Sequence, residues 1–144
     1  MDHDVFRFSL ETELTMLGRF AVAIFVGAVV GLERGLGPHP AGLRTLTMVS
    51  MGAATFTLAS IYGFAGEGTD TSRVAAQVAT GVGFLGAGAI VSSGFQVRGL
   101  TTASAIWIAA ALGVAAGAGM YVLAVTAAVL AAFVLRFLPH GESL

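Results

Sequence analysis

The sequence predicts an all-α membrane protein with five transmembrane helices. Of its 144 residues, 56% are hydrophobic and only 10% are charged, and the mean hydropathy is +0.89. Soluble domains are about 25% charged. The charge-free segments are also apolar or small on every side, whereas the surface helices of a soluble protein carry a polar face. These observations exclude disorder and argue against a conventional soluble enzyme.

Charged residues divide the chain into apolar segments whose lengths set the number of crossings. A helix needs about 20 residues to cross the hydrocarbon core, and segments 45–66 and 74–97 each fit one crossing. Segment 99–135 would be about 55 Å long as one helix, so we expect a turn at 117–119. The first crossing requires Arg19 to snorkel towards one face. We predict a single transmembrane domain over residues 1–144, with crossings at 14–32, 45–63, 74–93, 101–117 and 120–137.

The arginines predict the orientation of these crossings. Four of them, Arg34, Arg44, Arg98 and Arg136, fall on one set of loops, and fewer fall on the other. Because basic residues concentrate on the cytoplasmic side, we expect the N-terminus outside and the C-terminus in the cytoplasm.

Several classes of function are disfavoured by what the chain lacks. The formal net charge is −1, so no basic surface suggests a nucleic-acid partner. There is no cysteine, and the three histidines lack the spacing of metal ligands. Residues 81–86 match G-x-G-x-x-G, but no Asp or Glu lies between Asp70 and Glu142 to complete a dinucleotide site. We therefore expect no enzyme activity, no cofactor and no resident metal.

Glycines recur at helical spacing inside the predicted crossings. Glycine lets helix backbones approach closely in lipid, where no hydrophobic force drives helices together. These residues are expected to pack helices within one chain, or to join two chains as a homodimer through a glycine-rich face. The helix-packing candidates are Gly27, Gly31, Gly81, Gly83, Gly86, Gly88, Gly113 and Gly117.

Two groups of polar residues flank the crossings. Charges at this depth are costly unless they are paired, so we expect Glu33 to pair with Arg44 or Arg98 at the arginine-rich end. That group is interpreted as a polar vestibule or partner site, or as ordinary interfacial anchoring. Its candidate members are Glu33, Arg34, Arg44, Thr45, Arg98, Thr101 and Thr102. The opposite end offers a polar entrance, or a helix cap at Asp70. Its members are Asp70, Arg73 and Gln77.

The chain contains a weak internal similarity. Residues 25–28 resemble 84–87, and residues 42–45 resemble 99–102, at offsets of 59 and 57 positions. A parallel repeat of helix hairpins 1–2 and 3–4 would explain both pairs, as in some transporters. Chance similarity in a chain rich in glycine and alanine is the alternative.

Five stretches in a fixed order resemble the MgtC/SapB family of bacterial inner-membrane proteins. They are residues 31–34, 41–45, 72–77, 81–88 and 97–103. The resemblance implies five membrane helices with the N-terminus outside, and a role in growth under magnesium limitation. It also implies a lipid bilayer environment, and either magnesium transport or inhibition of the F-type ATP synthase through membrane contacts. Many members carry a further cytoplasmic domain after the helices, so the chain is expected to be a short SapB-like member or a truncated one.

Two functions remain open. The first is regulation of another membrane protein, such as a membrane ATPase, through helix contacts in the bilayer. A path for Mg²⁺ would need carboxylates, and only Glu33 and Asp70 lie near the membrane among the interior charges. This shortage of acids favours regulation. The alternative is a small oligomeric cation transporter or channel. Hydroxyls support that alternative, namely those of Thr45, Thr47, Ser50, Thr101, Thr102 and Ser104.

Overall fold

The computed structural model describes residues 8–64, 66, 68–93 and 96–138, and they form five α-helices. The helices are α1 (Leu10–Gly35), α2 (Leu43–Leu58), α3 (Ser72–Ala89), α4 (Leu100–Gly117) and α5 (Tyr121–Phe137). A π-helical turn, Ala59–Gly63, extends α2. This architecture confirms the predicted all-α fold. Three segments, Leu10–Gly35, Leu43–Gly63 and Leu100–Gly117, are long and apolar enough to cross a membrane, and Tyr121–Phe137 is a shorter apolar helix.

Helix α4 lies at the centre and contacts each of the other four helices. Ten of its 18 residues are buried, and most of these are alanine or glycine. Small side chains let neighbouring backbones approach, which is how helices associate in lipid. The core is therefore built from close backbone contacts around α4 rather than from large interlocking side chains.

Helices α2 and α4 run parallel and nearly touch at two glycines. A Cβ atom added to Gly113 would collide with the carbonyl oxygen of Ser50, and one added to Gly117 would lie 3.0 Å from the Cβ of Thr57. Helix α1 also packs against α2, where the Ser50 hydroxyl donates a 2.7 Å hydrogen bond to the carbonyl of Ala23. Ser50 is fully buried. The bond therefore gives its hydroxyl the hydrogen-bond partner that lipid cannot supply.

The two helix hairpins α1–α2 and α3–α4 have glycine contacts at corresponding positions. Gly42 and Gly99 are the N-cap residues of α2 and α4. A Cβ on Gly27 would lie 3.1 Å from the carbonyl oxygen of Leu46, four residues after Gly42. A Cβ on Gly86 would lie 3.7 Å from Ala103, four residues after Gly99. The two connections differ, since Gly42 is extended with φ −117° and Gly99 has φ +90°, so the repeat stays a prediction.

The connection between α3 and α4 is a short antiparallel β-hairpin, which was not predicted from the sequence. Strand β1 (Val91–Ser93) pairs with β2 (Gln96–Arg98), and Val91 lies opposite Arg98. Helix α3 ends at Ala89, four residues before the predicted limit of the third crossing, because Ile90 is already extended. Gly99 closes the hairpin with φ +90°, and a Cβ there would collide with the Ala89 carbonyl. Glycine is therefore required at this corner.

The other helix limits lie near the predicted ones. Helix α1 is predicted over 14–32 and observed over Leu10–Gly35, and α2 reaches the predicted limit of 63 only with its π-helical turn. The predicted turn at 117–119 is present between α4 and α5, and Gly119 adopts φ +81° there.

Replacing Gly113 with alanine should destabilise the fold, whereas the same change at Gly83 should not. The new methyl group at Gly113 would overlap the Ser50 carbonyl, and overpacking of this kind costs about 1–3 kcal/mol. Gly83 faces open space, so alanine there should leave stability unchanged or raise it by up to about 1 kcal/mol. Thermal unfolding of both variants in detergent, followed by circular dichroism, measures the difference. Equal shifts of the two melting temperatures would contradict the α2–α4 contact.

Candidate functional site

The arginine-rich end of the protein is formed where α1 ends, α2 begins and the hairpin leads into α4. Its central feature is Arg34, whose side chain is 1% exposed. The Arg34 Nε donates a 3.0 Å hydrogen bond to the Glu33 carboxylate, which is 12% exposed. The sequence predicted Arg44 or Arg98 as the partner of Glu33. That prediction is wrong, because the last turn of α1 places Glu33 beside its own chain neighbour.

Arg34 is held in place by the loop that follows α1. The Nδ1 of His39 donates a 2.9 Å hydrogen bond to the Arg34 carbonyl, which ties the loop to the helix end. Among the residues that the structure describes, the buried Nη2 of Arg34 has no hydrogen-bond partner. The Nε of the buried Arg34 guanidinium is hydrogen-bonded and its Nη2 is not, so the stability of this charge depends strongly on the Glu33 carboxylate.

The remaining members of this predicted group are spread over the surface. Arg44 and Thr45 are both exposed in the first turn of α2. Arg98 is exposed at the end of β2, and Thr101 is exposed in the first turn of α4. Thr102 is 4% exposed and belongs to the core. The predicted group is therefore one buried ion pair surrounded by surface residues at the same end, not a single enclosed site.

At the opposite end, Asp70 forms a local turn that starts α3. Its carboxylate accepts hydrogen bonds from the Ser72 hydroxyl at 2.6 Å and the Ser72 backbone N–H at 2.9 Å. These bonds, led by the side-chain one, hold the pKa of Asp70 below its usual value, and Arg73 acts in the same direction. The turn is therefore stabilised above the ordinary carboxyl pKa and weakened as the pH falls through the lowered one. Arg73 and Gln77 are exposed along the same helix.

Arg19 has a structural role that was not predicted from the sequence. Its Nη1 donates a 3.1 Å hydrogen bond to the carbonyl of Gly117, at the C-terminus of α4. Its guanidinium carbon lies 5.5 Å from the centre of the Tyr62 ring, which the π-helical turn carries. A cation at a helix C-terminus complements the helix dipole. The signal was an arginine inside an apolar crossing, which needs a partner in the protein.

An open groove of about 720 Å³ separates α2 from α3. Its walls are almost entirely apolar, and Thr45 and Gln77 are the polar side chains among its lining residues. A smaller cavity of about 300 Å³ lies between α3, α4 and α5, beside Trp107. The groove was not predicted from the sequence, because it depends on how far α2 and α3 stand apart.

The predicted helix-packing glycines divide into two sets. One set makes close contacts within the chain, and its members are Gly27, Gly31, Gly86, Gly113 and Gly117. The other set lies on α3 with open space where a Cβ would be, and its members are Gly81, Gly83 and Gly88. Gly86 is the one residue of α3 that is buried. Helix α3 therefore presents most of its surface outwards.

The described residues contain no group of three or more His, Asp or Glu that could hold a metal ion. Among the described residues, the buried Glu33–Arg34 pair, the Asp70 turn and the hydrogen bond from Arg19 to the Gly117 carbonyl each stabilise the end of a helix.

Glu33→Gln should destabilise the protein by about 3–5 kcal/mol, because it leaves the Arg34 guanidinium buried without a countercharge. Combining it with Arg34→Gln should cost less than the sum of the two single changes, since contacting residues couple. Thermal or denaturant unfolding in detergent measures these effects.

Arg44→Gln is the matched control, since Arg44 lies at the same end but is exposed. It should change stability by no more than about 1 kcal/mol and add independently to Glu33→Gln. Additive, sub-kcal effects of both Glu33 and Arg34 would contradict a buried pair.

Comparisons with known proteins agree with one another. The MgtC family model matches residues 20–144. The chain is 42% identical over 131 residues to an Escherichia coli K12 protein named "Putative magnesium transporter YhiD", covering 84% of this chain and 61% of that protein. It is 50% identical over 100 residues to Protein MgtC of Brucella abortus, covering 69% and 41%. It is 45% identical over 120 residues to Protein SrpB of Synechococcus elongatus, covering 73% and 64%.

The chain thus matches less than two thirds of the length of each of these relatives. No solved structure matches the chain. The family model covers most of the chain, including all of α2 to α5, and the apolar helices are those of a membrane protein. On this evidence the protein belongs to the MgtC family.

Proposed function

We propose that the protein is a regulator in the bacterial inner membrane, acting through helix contacts within the bilayer during adaptation to magnesium limitation. The observation that carries this proposal is the outward surface of α3, of which only Gly86 is buried. A helix that contributes so little to its own core is available to another protein. The arginine distribution supports an N-terminus outside and a C-terminus in the cytoplasm.

The outward surface of α3 includes a stripe of small residues. Ala76, Thr80, Gly83 and Ala87 are all exposed and follow the spacing of one helix face. Small residues at this spacing let a second helix approach closely in lipid. We refer to these four residues as the α3 stripe. It suits a second copy of this chain in a homodimer, or a helix of a membrane ATPase such as the F-type ATP synthase.

Cation transport is the second candidate, and the name of the Escherichia coli relative favours it. Mg²⁺ is held by oxygen ligands and gives up its water reluctantly, so a path would need polar groups that follow one another across the membrane. The hydroxyls first considered for this role are dispersed: Thr45 faces an apolar groove, Ser50 is bonded to α1, and Thr102 is in the core. This dispersion supports regulation over transport.

Cross-linking through single cysteines tests the α3 stripe, and the chain has no native cysteine to interfere. Gly83→Cys should form a disulfide-linked dimer, or a product with an ATPase subunit, when membranes are oxidised. Val129→Cys is the control, because it is 57% exposed on the apolar surface of α5. Similar cross-linking from both positions would mean that the contacts are random collisions.

Ion flux separates the two candidate functions. Purified protein in liposomes loaded with a Mg²⁺-sensitive dye should give no uptake above that of empty liposomes. Saturable Mg²⁺ uptake would overturn the regulatory proposal in favour of a transporter, whatever the cross-linking result.

A further inference from the structure

The groove between α2 and α3 is separate from the α3 stripe. Three faces of α3 can be distinguished by their residues. One face, including Gly86, packs on α4, and a second is the α3 stripe. The third lines the groove through Gln77, Gly81 and Leu85. An occupant of the groove would therefore leave the α3 stripe accessible.

The groove runs along most of α2. Its α2 wall extends from Thr45 to Phe56, which is about 16 Å at 1.5 Å per residue. Helix α3 is antiparallel to α4 and α4 is parallel to α2, so the two walls run in opposite directions along this length. The hydrocarbon core of a bilayer is about 30 Å thick. The groove thus extends over about half of that thickness, starting from the arginine-rich end.

The first turn of α2, where the groove begins, carries an exposed arginine. Arg44 immediately precedes Thr45 and is exposed, and it forms no salt bridge with any described residue. The nearest acid along the chain, Glu33, is already paired with Arg34. At the other end of the groove Phe56 and Val74 are apolar, and the exposed Arg73 that precedes Val74 interacts with the Asp70 carboxylate, which offsets its charge. A groove with one cationic end and long apolar walls is complementary to an amphiphile with an anionic head.

We infer that the groove holds an acyl chain of an anionic phospholipid from the leaflet at the arginine-rich end. The phosphate lies against the Arg44 guanidinium, and the Thr45 hydroxyl donates to a phosphate oxygen. The acyl chain lies between Gly52 on α2 and Gly81 on α3, where a Cβ atom added to either glycine would meet nothing within 4 Å. Basic pockets between membrane helices are known to select acidic headgroups in this way.

A phospholipid fits the groove better than a protein helix does. A membrane-crossing helix is about 30 Å long and 10–12 Å across with its side chains, so it would extend well beyond a groove about 16 Å long. An acyl chain is thin, flexible and wholly apolar, like the walls. The bilayer also supplies phospholipid to every copy of the protein.

Native mass spectrometry of the detergent-purified protein, supplied with phosphatidylglycerol or phosphatidylcholine of identical acyl chains, tests the inference. One phosphatidylglycerol per chain should be retained in preference to phosphatidylcholine. Arg44→Gln should weaken that retention about fivefold, the effect of one basic group at a membrane surface. Gly81→Leu should fill the groove and weaken it by about tenfold or more. Gly52→Leu fills the same groove from α2 and guards against misfolding of the Gly81 variant.

Two controls match these variants. Arg136→Gln removes an exposed arginine from the last turn of α5, and Gly18→Leu enlarges an exposed glycine of α1, a helix that does not line the groove. Both should retain phosphatidylglycerol as the unmodified protein does. Equal retention of the two lipids, or equal losses in variants and controls, would overturn the inference. Loss of a dimer rather than of lipid in Gly81→Leu and Gly52→Leu would assign the groove to a second copy instead.

Discussion

The close approach of α2 to α4 is the contact on which the rest of the structure depends. Where Gly113 meets Ser50, there is no room for even a methyl group. Since α1 packs on α2, and α3 and α5 pack on α4, the spacing of this central pair sets the position of all five helices. In lipid no hydrophobic force drives helices together, so they associate through close packing. The glycine at this point allows that close packing, which here takes the place of the large hydrophobic core of a soluble protein.

Polar groups inside the bundle stabilise its two ends. At one end Arg34 is buried and balanced by Glu33, and at the other Arg19 bonds the last turn of α4. Between them, the Ser50 hydroxyl joins α1 to α2. Each of these groups would be unfavourable in hydrocarbon without its partner. The Arg19 and Ser50 hydrogen bonds therefore fix one helix relative to another, whereas the Glu33–Arg34 pair stabilises the end of α1 itself.

The helices were predictable from the sequence because membrane thickness imposes a length on every apolar segment. The α4–α5 turn was predictable for the same reason, since segment 99–135 is too long for one crossing. The hairpin after Ala89 was not, because Val91 and Val97 are as apolar as the helix before them and hydropathy does not separate a strand from a crossing. The partner of Glu33 was also missed, since residues adjacent in sequence usually point apart on a helix. The groove depends on distances between helices that no local pattern contains.

The contact between Ser50 and Gly113 also has a consequence for the order of synthesis. These residues are 63 positions apart, so α2 leaves the ribosome long before α4 exists to cover it. The α1–α2 hairpin can form at once through the Ser50 hydrogen bond to α1. The α2 surface that later packs on α4 stays uncovered while α3 is translated. Helix α4 can pack against α2 only after α3 has been synthesised. The small residues that line it make such late packing feasible, because little has to move aside.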